Sequence, residues 1–138
     1  MKRLTVALLL ALIFALMGSA LAEAQTPSDE DAGSVQYVLY LGTNDKDTNK
    51  PVFTQQESME QAQAILIRRF GGYTIQEAHG GWVGDDGKLY QEYTLVIYLS
   101  DTTLDKVHAA CDELVKTFNQ SSVLIQCNLT TTEFYSGQ

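Results

Sequence analysis

The residues with the clearest potential for chemistry surround an Asp-Gly turn in the middle of the chain. Glu77 and His79 precede Trp82 and the turn, and Tyr90 follows it. A Glu/His pair can exchange protons with a bound ligand. We identify no nucleophile or third orienting group beside them, so we assign no catalytic residue. These four residues define a candidate ligand cleft, and the alternative is a strand-end histidine beside a packed tryptophan.

Cys111 and Cys127 are the only two cysteines in the sequence. Cys111 lies on the apolar stripe of a predicted helix, and Cys127 lies on the inward-facing set of the strand that folds back on it. Both are at a similar depth from the connecting turn, so we predict a disulfide. The bond would close a loop of about 17 residues and contribute about 3 kcal/mol to stability. The alternative is a pair of reduced thiols buried as small apolar residues.

The sequence offers no convincing metal or cofactor site. Only two histidines, His79 and His108, are present, so a His-rich metal site is not available. Residues 45–49 have the alternating oxygen ligands that begin a calcium loop, but Lys50 occupies the glycine position and Gln56 the position of the bidentate glutamate. We therefore interpret this segment as a solvated loop and predict no metal and no cofactor.

Hydrophobic periodicity predicts four strands and two helices after residue 34. Thr54 and Glu57 have the spacing of a capping box, which marks the start of the first helix. Gly71 and Gly72 supply its stop. The predicted strands span residues 35–41, 73–83, 89–99 and 123–132, and the predicted helices span residues 54–70 and 104–118.

This order, β-α-β-β-α-β, is the split pattern of an α+β ferredoxin-like sandwich. Right-handed crossovers place both helices on one face of a four-stranded antiparallel sheet, with strand order four-one-three-two. The other face would then be uncovered. It would carry an apolar, tyrosine-containing patch formed by Val38, Tyr40, Val96, Tyr98 and Leu124. Such a patch is typical of an interface, and the alternative is that a chain terminus covers it.

The amino terminus has the three zones of a signal peptide. Lys2 and Arg3 precede an apolar run, and Ala20 to Ala22 form a small-residue cleavage motif. We predict a signal peptide at 1–22, a disordered lead-in at 23–34 and one α+β domain at 35–135. The alternative for the first segment is a retained anchor. The expected location is periplasmic or secreted, with no membrane attachment after cleavage.

The charge balance argues against nucleic acid as a partner. The formal net charge is −8, from 17 acidic and nine basic residues. Cleavage would remove two of the basic residues and make the charge more negative. Such a field repels phosphate backbones.

The hairpin resembles a family of small exported bacterial proteins of unknown function. The resemblance rests on residues 72–82, which read Gly-Tyr-Thr-Ile-Gln-Glu-Ala-His-Gly-Gly-Trp, and on the Asp86-Gly87 turn. Glu92 and the Ser-Val-Leu segment at 122–124 also match. The resemblance implies a ferredoxin-like fold and export, and it implies no activity, cofactor or catalytic residue.

We interpret the chain as a non-enzymatic exported interaction module that forms a homodimer or binds a protein partner through the uncovered sheet face. The alternative is a small dimeric enzyme or small-molecule binder with a cleft near His79, Trp82 and Tyr90. A third interpretation is a calcium-tuned module.

Overall fold

The computed structural model describes residues 34–137. The predicted signal peptide and all of the predicted lead-in except Ser34 lie outside these residues, and Ser34 itself is the first residue of a strand. The elements, in chain order, are β1 (Ser34–Gly42), α1 (Gln55–Phe70), β2 (Thr74–Val83), β3 (Leu89–Leu99), α2 (Leu104–Thr117) and β4 (Leu124–Thr130).

The first helix begins and ends where the sequence indicates. The Thr54 hydroxyl accepts the Glu57 backbone N–H, and the Glu57 side chain accepts the Thr54 N–H, so the capping box is complete. At the other end Gly71 adopts φ 71°, and its N–H donates to the Ile67 carbonyl at 3.0 Å. A left-handed backbone conformation at this position favours glycine.

The four strands form one antiparallel sheet in the order β2-β3-β1-β4. This arrangement confirms the predicted ferredoxin-like fold. β1 and β3 lie at the centre, and β2 and β4 form the edges. β2 and β3 are joined by a tight turn in which Gly87 has φ 75° and Gly84 donates to the Lys88 carbonyl at 2.9 Å.

A single core lies between one face of the sheet and both helices. Alternate residues of the two central strands and the apolar stripes of the two helices form this core. Its buried members include Tyr37, Leu39 and Leu41 of β1, Leu95, Ile97 and Leu99 of β3, Ala62, Ile65 and Leu66 of α1, and Val107, Cys111 and Leu114 of α2. We call the opposite side of the sheet the outer face.

Two further contacts hold the helix layer together, one in the core and one on the surface. Phe118, which follows α2, is fully buried and packs edge-on against Phe53, with ring centroids 5.5 Å apart. On the surface of the helix layer, Glu113 of α2 forms ion pairs with Arg68 and Arg69 of α1. Within residues 34–137, no helix is long and apolar enough to cross a membrane.

Candidate functional site

The outer face brings together the five residues of the predicted patch. Val38 pairs with Tyr98, and Tyr40 pairs with both Val96 and Leu124. Directly paired residues of antiparallel strands point to the same side of a sheet. The two valines are buried, the two tyrosines are partly buried, and Leu124 is 59% exposed. Their role in an interface stays a prediction.

The tyrosine hydroxyls reach towards the sheet edges. Tyr98 donates to the Gln76 side-chain oxygen of β2 at 2.9 Å, and Tyr40 donates to the Gln126 oxygen of β4 at 3.3 Å. These bonds connect each tyrosine to the neighbouring edge strand.

Most of the outer face carries no charged side chain. The register places twelve uncharged residues next to one another, and we call this set the neutral zone: Gln36, Val38, Tyr40, Thr74, Gln76, Ala78, Thr94, Val96, Tyr98, Leu124, Gln126 and Asn128. Its polar members are amides and hydroxyls, which both donate and accept hydrogen bonds.

A groove lies at one end of the same face, beyond the neutral zone. Trp82 of β2 pairs with Tyr90 of β3, and their rings stack with centroids 5.4 Å apart and planes 21° apart. Trp82 is 42% exposed. The groove has a volume of about 540 Å³, and its lining includes Asn44, Trp82, Asp86, Tyr90, Glu92 and Gln120.

Hydrogen bonds from the β2–β3 turn hold Tyr90 in place. Its hydroxyl donates to Asp86 at 2.9 Å, which raises the pKa of Tyr90. Asp86 also accepts the Lys88 N–H and forms an ion pair with the Lys88 ammonium, and these contacts lower the pKa of Asp86. A Cβ at Gly84 would lie 2.7 Å from the Tyr90 ring, so the close approach of the ring requires glycine there.

Glu92 lies on β3 between Tyr90 of the stacked pair and Thr94 of the neutral zone, and its carboxylate lies beside Gly42 and Asn44. It pairs with Gly80, two residues along β3 from Tyr90, which is about 7 Å at strand rise. One oxygen accepts the Asn44 N–H at 3.1 Å. A Cβ at Gly42 would collide with the carboxylate, so a glycine on β1 leaves the room that it occupies.

The loop that supplies Asn44 is fastened to the turn after α2. Asn119 donates to Asp45 at 2.8 Å, and the Lys46 N–H donates to the Asn119 carbonyl at 3.0 Å. Asp45 also accepts the N–H groups of Asp47 and Thr48. The bond from Asn119, followed by these two backbone bonds, lowers the pKa of Asp45 to about 2. The Asp45 carboxylate, the first oxygen ligand of the suggested calcium loop, is therefore engaged in internal hydrogen bonds.

The structure divides the predicted ligand cleft between the two faces of the sheet. Trp82 and Tyr90 lie together in the groove on the outer face. Glu77 and His79 pair with Leu95 and Tyr93, which puts them on the helix side of β2, where both are exposed. The cleft of four is corrected to a pair, because residues three or five positions apart on a strand point to opposite sides.

Apart from Trp82 and Tyr90, the groove residues were not among the predicted site residues, and Glu92, Asn44 and Gln120 are examples. Glu92 could have been predicted from the sequence, because it lies two residues after Tyr90 on the same strand and therefore faces the same side of the sheet. Asn44 and Gln120 come from separate loops, and the Gln120 amide donates to the Asn44 carbonyl. A contact between residues so far apart in the chain leaves no local pattern.

The two cysteines differ in environment. Cys111 is buried in the core, and burial, followed by the charge of Asp112, raises its pKa to about 11. Cys127 lies on β4 opposite Tyr37 and is exposed. Both are free thiols in the structure, and the disulfide stays a prediction. The described residues contain no group of three or more His, Cys, Asp or Glu side chains arranged to hold a metal ion.

Several solved structures share this fold. A phage SAM lyase in complex with S-methyl-5'-thioadenosine is 21% identical over 80% of this chain and 99% of its own, with a TM-score of 0.55. The apo form of a phage SAM lyase is 22% identical over 76% and 94%, with a TM-score of 0.53. The divalent ion tolerance protein CutA1 from Ehrlichia chaffeensis is 17% identical over 74% and 86%, with a TM-score of 0.46. The first two similarities support the fold.

Among sequence families, the model of DUF3574, described as a protein of unknown function, matches residues 36–134. A search of curated proteins finds no match.

Proposed function

Because the chain belongs to the DUF3574 family, whose description gives no function, we propose a function from its geometry: an exported module that associates with further copies of itself through the neutral zone. The observation that carries this proposal is that twelve neighbouring residues of the outer face are uncharged in a strongly acidic chain.

Charge distribution favours the neutral zone over the other surfaces. The chain has a net charge of −8, so two copies repel each other across most orientations. Contact through the neutral zone puts no carboxylates directly opposite one another. It also leaves the acidic surfaces in solvent, where they keep the assembly soluble.

The chemistry of the neutral zone suits contact with an identical surface. In a two-fold contact the same patch faces itself, so its polar groups must pair with copies of themselves. Glutamine amides and tyrosine hydroxyls meet this condition, because each both donates and accepts. Leu124, 59% exposed, supplies apolar area between them, and tyrosine is enriched in interface cores.

The carboxyl-terminal segment does not compete for this surface. Phe134 and Tyr135, the aromatic residues that could have covered the outer face, are 84% and 75% exposed. The neutral zone is therefore not covered by these two residues, and we favour a second copy of the chain as its occupant.

The experiment compares the mass of the assembly before and after charge is placed in the neutral zone. The full chain is expressed in a bacterium, and the processed protein is examined by size-exclusion chromatography with light scattering over a range of concentrations. Wild type should have a mass above that of one chain. Leu124→Glu and the double variant Tyr40→Glu/Tyr98→Glu should be monomeric. The matched control, Phe134→Glu/Tyr135→Glu, adds the same charge to exposed aromatics elsewhere and should assemble as wild type does.

Circular dichroism of each variant separates loss of association from loss of folding. Leu124→Glu is the more informative variant, because its side chain is already exposed and its replacement does not disturb the core. A wild type that is monomeric at all concentrations rejects self-association, and so does an unchanged Leu124→Glu assembly. The export part of the proposal is tested by amino-terminal sequencing of the extracytoplasmic protein, which should begin at Glu23.

A second candidate function is small-molecule chemistry in the groove. The stacked Trp82–Tyr90 pair in a groove supports it, as does the similarity to a phage SAM lyase whose structure is a complex with S-methyl-5'-thioadenosine. The test is incubation of the protein with SAM, followed by chromatography for S-methyl-5'-thioadenosine against a protein-free control. Product above that control that is lost in Glu92→Gln would support this function, and no product above the control would reject it.

A further inference from the structure

We propose that the groove at the end of the outer face binds a small organic cation that carries a quaternary ammonium group, held between the Trp82–Tyr90 pair and the Glu92 carboxylate. This inference does not depend on self-association or on turnover.

The aromatic pair supplies the first half of the site. Trp82 lies on the edge strand β2 and Tyr90 on the neighbouring strand β3, so Tyr90 is the ring of the stacked pair that lies on the side of Glu92 and β1. The face of an aromatic ring attracts a cation. The interaction is strongest for cations that lose their water easily, which favours an alkylated ammonium over a primary amine.

Electrostatics supply the second half. The groove is lined by Asp85, Asp86 and Glu92 and by one cation, Lys46. Asp86 is paired with Lys88, and Lys46 is paired with Asp47 at 2.7 Å. Within residues 34–137 neither Glu92 nor Asp85 forms an ion pair. The groove therefore has negative charge available for a cationic ligand.

The site is also built in advance of any ligand. The Asn44 N–H holds the Glu92 carboxylate, and the Asp86 carboxylate holds Tyr90. The loop that carries Asn44 is fixed by Asn119. A preformed site loses little entropy on binding. Its volume of about 540 Å³ lies within the range of small-molecule sites.

The chain provides its own reporter for the test. Trp82 is the only tryptophan in the sequence, so tryptophan fluorescence of the processed protein reports on this groove alone. The protein is titrated with choline and, separately, with 3,3-dimethylbutan-1-ol, which has the same shape without the charge. Ionic strength is held constant. Choline should give a saturable change, and the neutral alcohol should bind at least about tenfold more weakly.

Two variants assign the binding to the groove. Glu92→Gln removes the charge but keeps an oxygen that can accept the Asn44 N–H, and it should weaken choline binding about tenfold. Glu133→Gln removes one charge from the exposed carboxyl-terminal segment and should bind as wild type does. Equal binding of choline and the alcohol by wild type would overturn the proposal. So would unchanged affinity in a folded Glu92→Gln, or no saturable signal with choline.

Discussion

The two cysteines should differ by at least about a hundredfold in their rate of alkylation in the folded, reduced protein. Cys111 is 8% exposed, and its pKa is raised from 9.0 to about 11 by burial and by Asp112. The thiolate is the reacting species, so two pKa units lower its population about a hundredfold at neutral pH. Burial slows the reagent further. Cys127 is exposed on β4, and it should react as an ordinary surface thiol.

The assay is a time course with iodoacetamide at neutral pH, quenched and analysed by peptide mass spectrometry. Cys111→Ser and Cys127→Ser assign each rate to one thiol. In denaturant both cysteines should react at similar rates, which shows that the fold causes the difference. Equal rates in the native protein would refute the burial and the raised pKa of Cys111 together.

The same alkylation and mass analysis, applied to protein that has not been reduced, tests the predicted disulfide. Protein recovered after export and kept without reductant would lack two hydrogen atoms in its intact mass if Cys111 and Cys127 are bonded, and neither would be alkylated before reduction. An unchanged mass with rapid alkylation of Cys127 would instead establish the reduced pair.

Three further changes probe the elements that support the outer face. Thr54→Ala should lower the free energy of unfolding by about 1 kcal/mol in urea, and Thr54→Ser should not, because the cap needs only the hydroxyl; equal losses would contradict this. Glu113→Gln should destabilise the protein at neutral pH. The pKa of Glu113 is lowered, chiefly by the hydrogen bond from Arg69, so the difference from wild type should be full above pH 4.5, decrease below it, and vanish as pH falls through the lowered folded-state pKa; a difference independent of pH would contradict the ion pair. Phe118→Ala should cost about 3–5 kcal/mol in the same assay and Phe118→Leu clearly less, and a cost under 1 kcal/mol would contradict its contact with Phe53.

The fold could be predicted because its signals are local or follow from handedness. The capping box at Thr54 and the left-handed Gly71 give the limits of α1 within a residue. Alternation along β1 separates Tyr37 and Leu39, which face the helices, from Val38 and Tyr40 on the outer face. The strand order follows from right-handed crossovers, which place β1 and β3 at the centre.

The candidate site could be predicted only in part. The short spacing along the chain suggested a cleft of Glu77, His79, Trp82 and Tyr90. Side chains alternate between the two faces of a strand, so only Trp82 and Tyr90 lie on the same face of the sheet. The remaining groove is formed by loop contacts between residues more than seventy positions apart, such as Gln120 with Asn44. No periodicity reports such contacts, and the path of each loop depends on the packed core beneath it.

One-sided helix packing leaves the sheet with an outer face that has two chemically distinct regions. The neutral zone suits contact between copies, while Glu92 and the aromatic pair lie beyond its end. If the two regions act separately, Leu124→Glu should lose assembly and keep its choline affinity, and Glu92→Gln should do the reverse. Both are measured on the same preparations, by light scattering and by Trp82 fluorescence. Should Leu124→Glu weaken choline binding because assembly is lost, then linkage requires choline to strengthen wild-type assembly by the same factor.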